Sequence, residues 1–287
     1  GGSGRPAERE PGALYDLIPC GDFPLQCGGW NPALLLLCAL ADPVNGPASC
    51  KTQTNQQHTM KTKPIIQILA ACAVIANATA QAPVKPSSPD EAFAELQAGN
   101  QRFAGGLTKQ RDLLAEAKDT SGGQKPFAAV LSCIDSRTSS EIIFDQGIGD
   151  IFNARLAGNV ADEDVLGSLE FATKVAGAKL IAVIGHSGCG AVIGAIDGVK
   201  LGHLTNLLSR IEPAVAEAKS GGEASANSSK SPAFVNQCIA DNVRLQTKQL
   251  TEQSAILKEL ADSGKIKIVG GVHDLETGRV EFIDVAD

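Results

Sequence analysis

The sequence has no run of lysine or arginine, and its formal net charge is −7 over 287 residues. A partner with a phosphate backbone calls for a basic stripe, so the charge argues against nucleic acid. Methionine occurs once, at Met60. Apolar runs are short over residues 1–59: Leu34–Leu37 is bounded by Pro32 and Pro43, well below the span of about 20 residues that a bilayer requires. Of the eight cysteines only Cys133, Cys189 and Cys238 follow residue 80, and three thiols cannot build a disulfide framework. No internal repeat is evident. What is present, 43% hydrophobic and 20% charged residues, is the composition of a soluble globular protein with length for one or two domains.

Residues 1–59 begin Gly-Gly-Ser-Gly, contain no methionine and carry neither helical nor strand periodicity, and they read as non-native, disordered upstream sequence. Glu8, Glu10, Asp16, Asp22 and Asp42 argue against an acid-poor transit peptide. Residues 60–82 read as a signal peptide: Lys61 and Lys63 precede the mostly apolar Pro64–Ile75, and Ala78-Thr79-Ala80 and Ala80-Gln81-Ala82 are small-residue cleavage sites. A periplasmic or secreted protein is expected. The alternative is a lipoprotein anchored to the membrane through Cys72, within Leu69-Ala70-Ala71-Cys72. Residues 83–89, rich in proline and serine, read as a linker.

From residue 90 to 287 the pattern is that of one α/β domain. Ser88-Pro89-Asp90-Glu91 is a capping box with proline at the first helical position, and it opens an N-terminal helical arm. Phe127–Ile134 and Leu180–Gly185 are apolar runs suited to buried parallel strands, with Ile151–Leu156 a weaker one. Helices are expected over Asp162–Val175, Ala191–Ile196, Leu201–Lys219 and Ala233–Leu260. Lys265–Val272 and Arg279–Asp284 pair as a C-terminal hairpin across Leu275-Glu276-Thr277-Gly278. The alternation predicts a mainly parallel central sheet flanked by helices.

Ligands of such sheets gather beyond the C-terminal strand ends. Cys133 closes one predicted strand and His186 and Cys189 follow another, so the three can converge. Singly they are unremarkable, because a buried Cys is most often a small core hydrophobe. Jointly they form a zinc set of two thiolates and one imidazole, with a fourth position open for water, the pattern of a catalytic site. Asp135 is the one further candidate ligand nearby, and Arg137 stands within reach of it.

Cys-x-Asp-x-Arg at Cys133–Arg137 followed by His-x-x-Cys at His186–Cys189 resembles the β-carbonic anhydrase family, and so do Phe152–Asn159 and the Asp274–Gly278 hairpin. The likeness runs from about Asp90 to Asp284. It implies the β-carbonic anhydrase fold, one zinc ion per chain on Cys133, His186 and Cys189, and reversible hydration of carbon dioxide to bicarbonate and a proton. It also implies that Asp135 orients the zinc-bound water while Arg137 holds it off the metal. Were that pair to open, Asp135 would ligate zinc and close the site. Closure goes with an aromatic residue shortly before the Cys motif, and Val130 stands there, so the open site of the plant-like branch, here bacterial, is expected. The resemblance further assigns Gln124, Phe152, Phe171 and Gly190 to the substrate pocket. Phe171 departs from the tyrosine of the plant-like branch, and Gln124 reaches the neighbouring subunit's site. A homodimer or higher homo-oligomer, embraced by the N-terminal helix, is implied.

Three other functions compete with this reading. Gly185–Gly190 imitates a phosphate loop but lacks the G-x-G-x-x-G spacing and any following Lys-Ser or Lys-Thr. A noncatalytic zinc-stabilised module would need Asp135 on the metal. A carbon disulfide or carbonyl sulfide hydrolase would share fold and ligands and differ in pocket access. Arg155, His203, His273 and Cys238 are left without a catalytic role: Arg155 as a structural or interface residue, His203 at the surface, Cys238 as a buried thiol.

Overall fold

The computed structural model describes residues 85–221 and 227–285. The readings of residues 1–59 and 60–82, and of residues 83 and 84 in the linker, lie outside them. Helix α1 (Pro89–Ala104) starts where the capping box requires: Ser88 accepts from the Glu91 N–H, and Glu91 accepts in return from the Ser88 N–H. The last linker residues therefore belong to the domain, and Lys85 is paired with Asp150. Next come α2 (Leu113–Asp119), β1 (Ala128–Ser132), α3 (Ser140–Ile143), β2 (Ile151–Arg155) and α4 (Glu163–Glu170). Then follow β3 (Leu180–His186), α5 (Gly190–Ile196), α6 (Gly202–Ser209), α7 (Glu212–Ser220), α8 (Pro232–Gln253), α9 (Ala255–Asp262), β4 (Lys267–His273) and β5 (Val280–Ile283).

The sheet order is β2-β1-β3-β4-β5, parallel except for the antiparallel β4–β5 hairpin. Every residue of β1 and β3 is buried, because helices cover both faces of these central strands, and this is why their sequences read as unbroken apolar runs. One face packs under α1, through Leu96, Phe144, Val130 and Ile184. The other packs under α4, α8 and α9, through Leu131, Leu169, Val183, Val243 and Leu257. After β1 the chain places β2 on one side, and β3 then returns to the other side of β1. The C-terminal ends of β1 and β3 thus flank a topological switch point, where a crevice opens.

Two expected helices are each divided. Leu201–Lys219 breaks at Arg210 and Ile211, between α6 and α7. Pro213 has no N–H to give a continuous helix, and its ring would collide with the carbonyl of Ser209. Ala233–Leu260 breaks at Ser254, which is extended (φ −119°, ψ 109°). There its hydroxyl accepts from the Leu257 N–H and donates to Glu170 on α4 at 2.6 Å, so a cap and a tertiary bond together outweigh continuity. The predicted helix over Asp162–Val175 runs as α4 and then widens into a single π turn at Phe171–Val175. Helices α2 and α3 escape the sequence reading, being too short for periodicity to register.

Asn100 ties α1 to the rest. Its amide nitrogen donates to the carbonyls of Ile143 and Gly278, and its oxygen accepts from the Val280 N–H. Asn100→Ala is expected to destabilise the domain by roughly 2–3 kcal/mol, the scale of leaving buried partners unsatisfied, measurable as a lowered midpoint in denaturant unfolding.

Candidate metal centre

Cys133 lies one residue past β1, His186 is the last residue of β3, and Cys189 caps the start of α5. Gly188, at φ 64°, makes the turn that brings Cys189 back towards His186. The three candidate ligand atoms lie within 4.8 Å of one another, and all three residues are buried. The His186 Nδ1 stands 3.0 Å from the Ser187 carbonyl. A carbonyl only accepts, so Nδ1 carries the proton and Nε2 carries the lone pair. That buried Nε2 has no hydrogen-bond partner among the described residues. A desolvated lone pair facing two thiols is a costly arrangement unless a cation completes it, so the donor set fits a metal ion.

The two thiols divide their acidity. The hydrogen bond with Cys189 pulls the Cys133 thiol well below its ordinary range against burial, with the N–H groups of Gly158 and Asp135 adding to it. Cys189 is pushed up by that same partnership and by burial. One thiolate therefore forms readily in the metal-free site, and a bound cation would favour the second.

Asp135 is turned to Arg137 rather than to this cluster. Arg137 donates from Nε to Oδ1 at 2.9 Å, from Nη2 to Oδ2 at 2.8 Å and from its backbone N–H to Oδ1 at 3.0 Å. This bidentate pair holds the carboxyl well below the usual carboxylate range. Asp135 Oδ2 nonetheless stands 3.9 Å from His186 Nε2, beside the cluster. The loop is fixed from below by Arg155, which donates from Nε to the Cys133 carbonyl and from Nη2 to the Asp135 carbonyl. Thr138 bonds the same two carbonyls. Arg155 thus clamps the backbone of the site, a role invisible in sequence because its partners are carbonyls about twenty residues away.

The remaining candidates are dispersed. Gly190 opens α5 beside Cys189, where an added Cβ would meet nothing within 4 Å. Phe152 and Phe171 meet edge to face, with centroids 6.2 Å apart, in an apolar groove of about 500 Å³ that none of the three candidate ligands lines. Phe152 pairs with Ala129, so it sits about 13 Å back along the strand from Cys133 at ~3.3 Å per residue. Gln124 is exposed, ahead of the N-terminal end of β1. His203 is exposed on α6, whereas His273 is buried at the end of β4 opposite His186, with burial depressing its basicity. Cys238 is a buried thiol pushed up to about 11.

An α/β sheet carrying a Cys-His-Cys cluster at its switch point, with a carboxylate–guanidinium pair alongside, defines a class of metal-dependent protein. The family model for carbonic anhydrase matches residues 128–280. Carbonic anhydrase 2 of Mycobacterium tuberculosis is 33% identical over 69% of this chain and 94% of its own length. The carbonic anhydrase of Mycolicibacterium smegmatis is 36% identical over 68% and 94%. A solved tetrameric β-carbonic anhydrase of Sordaria macrospora superposes with a TM-score of 0.52 at 25% identity, over 67% of this chain and 96% of that one. The chain belongs to the β-class carbonic anhydrase family.

Two outcomes follow for the cluster. Cys189→Ser is expected to abolish stoichiometric metal retention, read by elemental analysis after dialysis. The depressed Asp135 carboxyl means that the ion pair's stabilisation is fully present above about pH 4, the unfolded value. It is lost only as pH falls through the lower folded value. The unfolding free-energy difference between wild type and Asp135→Asn should therefore be flat from about pH 5 to 8 and shrink only in stronger acid.

Proposed function

We propose that Cys133, His186 and Cys189 hold one zinc ion per chain and that this centre carries out the reversible hydration of carbon dioxide to bicarbonate and a proton. The observation that carries the reading is the buried three-ligand cluster with an unpartnered His186 Nε2 and a carboxylate turned aside. Two thiols and an imidazole suit zinc, and three protein ligands leave a fourth position free. When bound there, zinc supplies a Lewis acid that lets water be deprotonated near pH 7.

The chain's own residues do the rest. Arg137 donates twice to Asp135 Oδ1 and once to Oδ2, which keeps the carboxylate charged and off the metal. The lone pair remaining on Oδ2, beside the cluster, would accept a hydrogen bond from the nucleophilic water and fix its orientation. Arg155 and Thr138 hold the Cys133–Asp135 backbone, so ligand and acceptor cannot drift apart. His186 keeps its ring orientation through the Nδ1–H bond to Ser187.

Metal analysis and stopped-flow carbon dioxide hydration test this directly. A protein with one zinc ion per chain and no hydration at mildly alkaline pH would overturn it. Arg137→Ala is expected to retain zinc and lose at least about tenfold in kcat/KM, more than 1.4 kcal/mol of transition-state stabilisation, because the freed carboxylate can swing onto the metal. Zinc loss in that variant would count against the role given to Arg137.

The assembly is read as a homodimer or a larger homo-oligomer. Phe171, which lines the groove that Phe152 shares, is 54% exposed, and Val175, four residues on, is 71% exposed, apolar surface suited to burial against a second copy. Gln124, Phe152 and Phe171, distant from their own chain's cluster, would then face a neighbour's pocket. Residues 60–82 are read as an export signal on their basic start, apolar centre and small-residue end. A mature N-terminus after about Ala80 is expected by mass spectrometry of the periplasmic or secreted protein, and a lipidated Cys72 would replace that reading.

A further inference from the structure

Helix α8 buries an apolar stripe, Phe234, Val235, Cys238, Ile239, Val243 and Leu250, and interrupts it with two amides, Asn242 and Gln246, both fully buried. Amides in such a core are costly unless each polar atom is satisfied. Their partners converge on the turn that leaves β2 towards α4. Asn242 Nδ2 donates to the Gly158 carbonyl at 2.8 Å, and Gln246 Oε1 accepts from the Ala161 N–H at 2.9 Å. Gln246 Nε2 donates to Asn242 Oδ1 at 3.2 Å, which fixes the Asn242 amide with its nitrogen towards Gly158, and also to the Arg210 carbonyl at 3.3 Å.

That turn is not one the chain would keep unaided. Gly158 and Asn159 are consecutive left-handed residues, at φ 66° and 46°, and the conformation is costly for a residue with a Cβ. A Cβ at Gly158 would also stand 2.5 Å from Ile211 Cδ1. The conformation has one evident product: the Gly158 N–H donates to Cys133 Sγ at 3.3 Å. An N–H bond to a thiolate withdraws charge from the sulfur and weakens its donation to a metal.

We propose that Asn242 and Gln246 are positioning residues of the metal centre: they brace the Gly158 turn so that its N–H stays on the Cys133 sulfur and sets that ligand's donor strength. The inference rests on Cys133 being a metal ligand. The brace acts from 84 residues away, through main chain alone, and Asn242 makes no bond to a candidate ligand itself.

The test uses full-length protein reconstituted with cobalt(II). Asn242→Leu and Gln246→Met keep approximate volume and remove the bonds to Gly158 and Ala161. Each is expected to take up one cobalt per chain and to move the thiolate-to-cobalt charge-transfer band to longer wavelength, because a sulfur stripped of its N–H bond gives up charge more easily. Thr247→Val, which deletes a buried hydroxyl bonded only to its own helix at Val243, should leave the band unchanged. A shifted band in either variant with the Thr247 control unmoved supports the brace. Unshifted bands in cobalt-loaded variants overturn it, and so does failure of both variants to fold, which would make the pair structural. Wild-type protein that takes up no cobalt would instead overturn the assignment of Cys133.

Discussion

In the ladder between β1 and β3, Ser132 lies opposite Ile184. Continued one step, this parallel register puts Cys133, the residue after β1, level with Gly185 and next to His186 at the end of β3. A slip of one position would move Cys133 about 3.3 Å along β3 and turn every side chain of β1 to the other face. The register is held by burial. Both strands are apolar throughout and covered on both sides, and any slip would misplace Val130, Leu131, Val183 and Ile184 between two cores at once. The donor cluster thus depends on hydrophobic packing that contains no donor atoms.

Around that register, charge is arranged so that each group has one task. Two thiols close together ionise with difficulty as a pair, which favours a cation between them. Asp135 would compete for the same cation, but a bidentate guanidinium occupies it. Arg137 is itself 60% exposed and free to be displaced, whereas Arg155 below is committed to carbonyls of the same loop. One arginine engages the carboxylate beside the cluster, and the other holds the backbone of the same loop.

Much of the architecture was legible because it is local. Unbroken apolar runs marked β1 and β3, the serine capping box marked α1 to the residue, and the Asp274–Gly278 turn marked the hairpin. The boundaries that were missed depend on distant partners. Ser254 ends α8 because Glu170 accepts its hydroxyl proton, and the break before α7 takes its form from Pro213 and the packing of Ile211, which is fully buried. Among the supporting residues of the site, Arg155 was expected to be structural or at an interface, while Asn242 and Gln246 were missed; all three act on main-chain atoms, which carry no residue identity for a sequence to display.

The sequence by itself determined the chemistry on offer: two cysteines and a histidine at strand ends, an aspartate and an arginine two residues apart, and glycines that allow tight turns. Those are properties of residue type and short spacing, fixed before folding. Only the tertiary structure decided which of the groups meet. It fixed the tautomer of His186, turned Asp135 to Arg137, set the Gly158 N–H on the Cys133 sulfur, and put Phe152 and Phe171 in a groove apart from the cluster. Each of these outcomes depends on the position or direction of a group in space, and that is established only when elements far apart in the chain pack against one another.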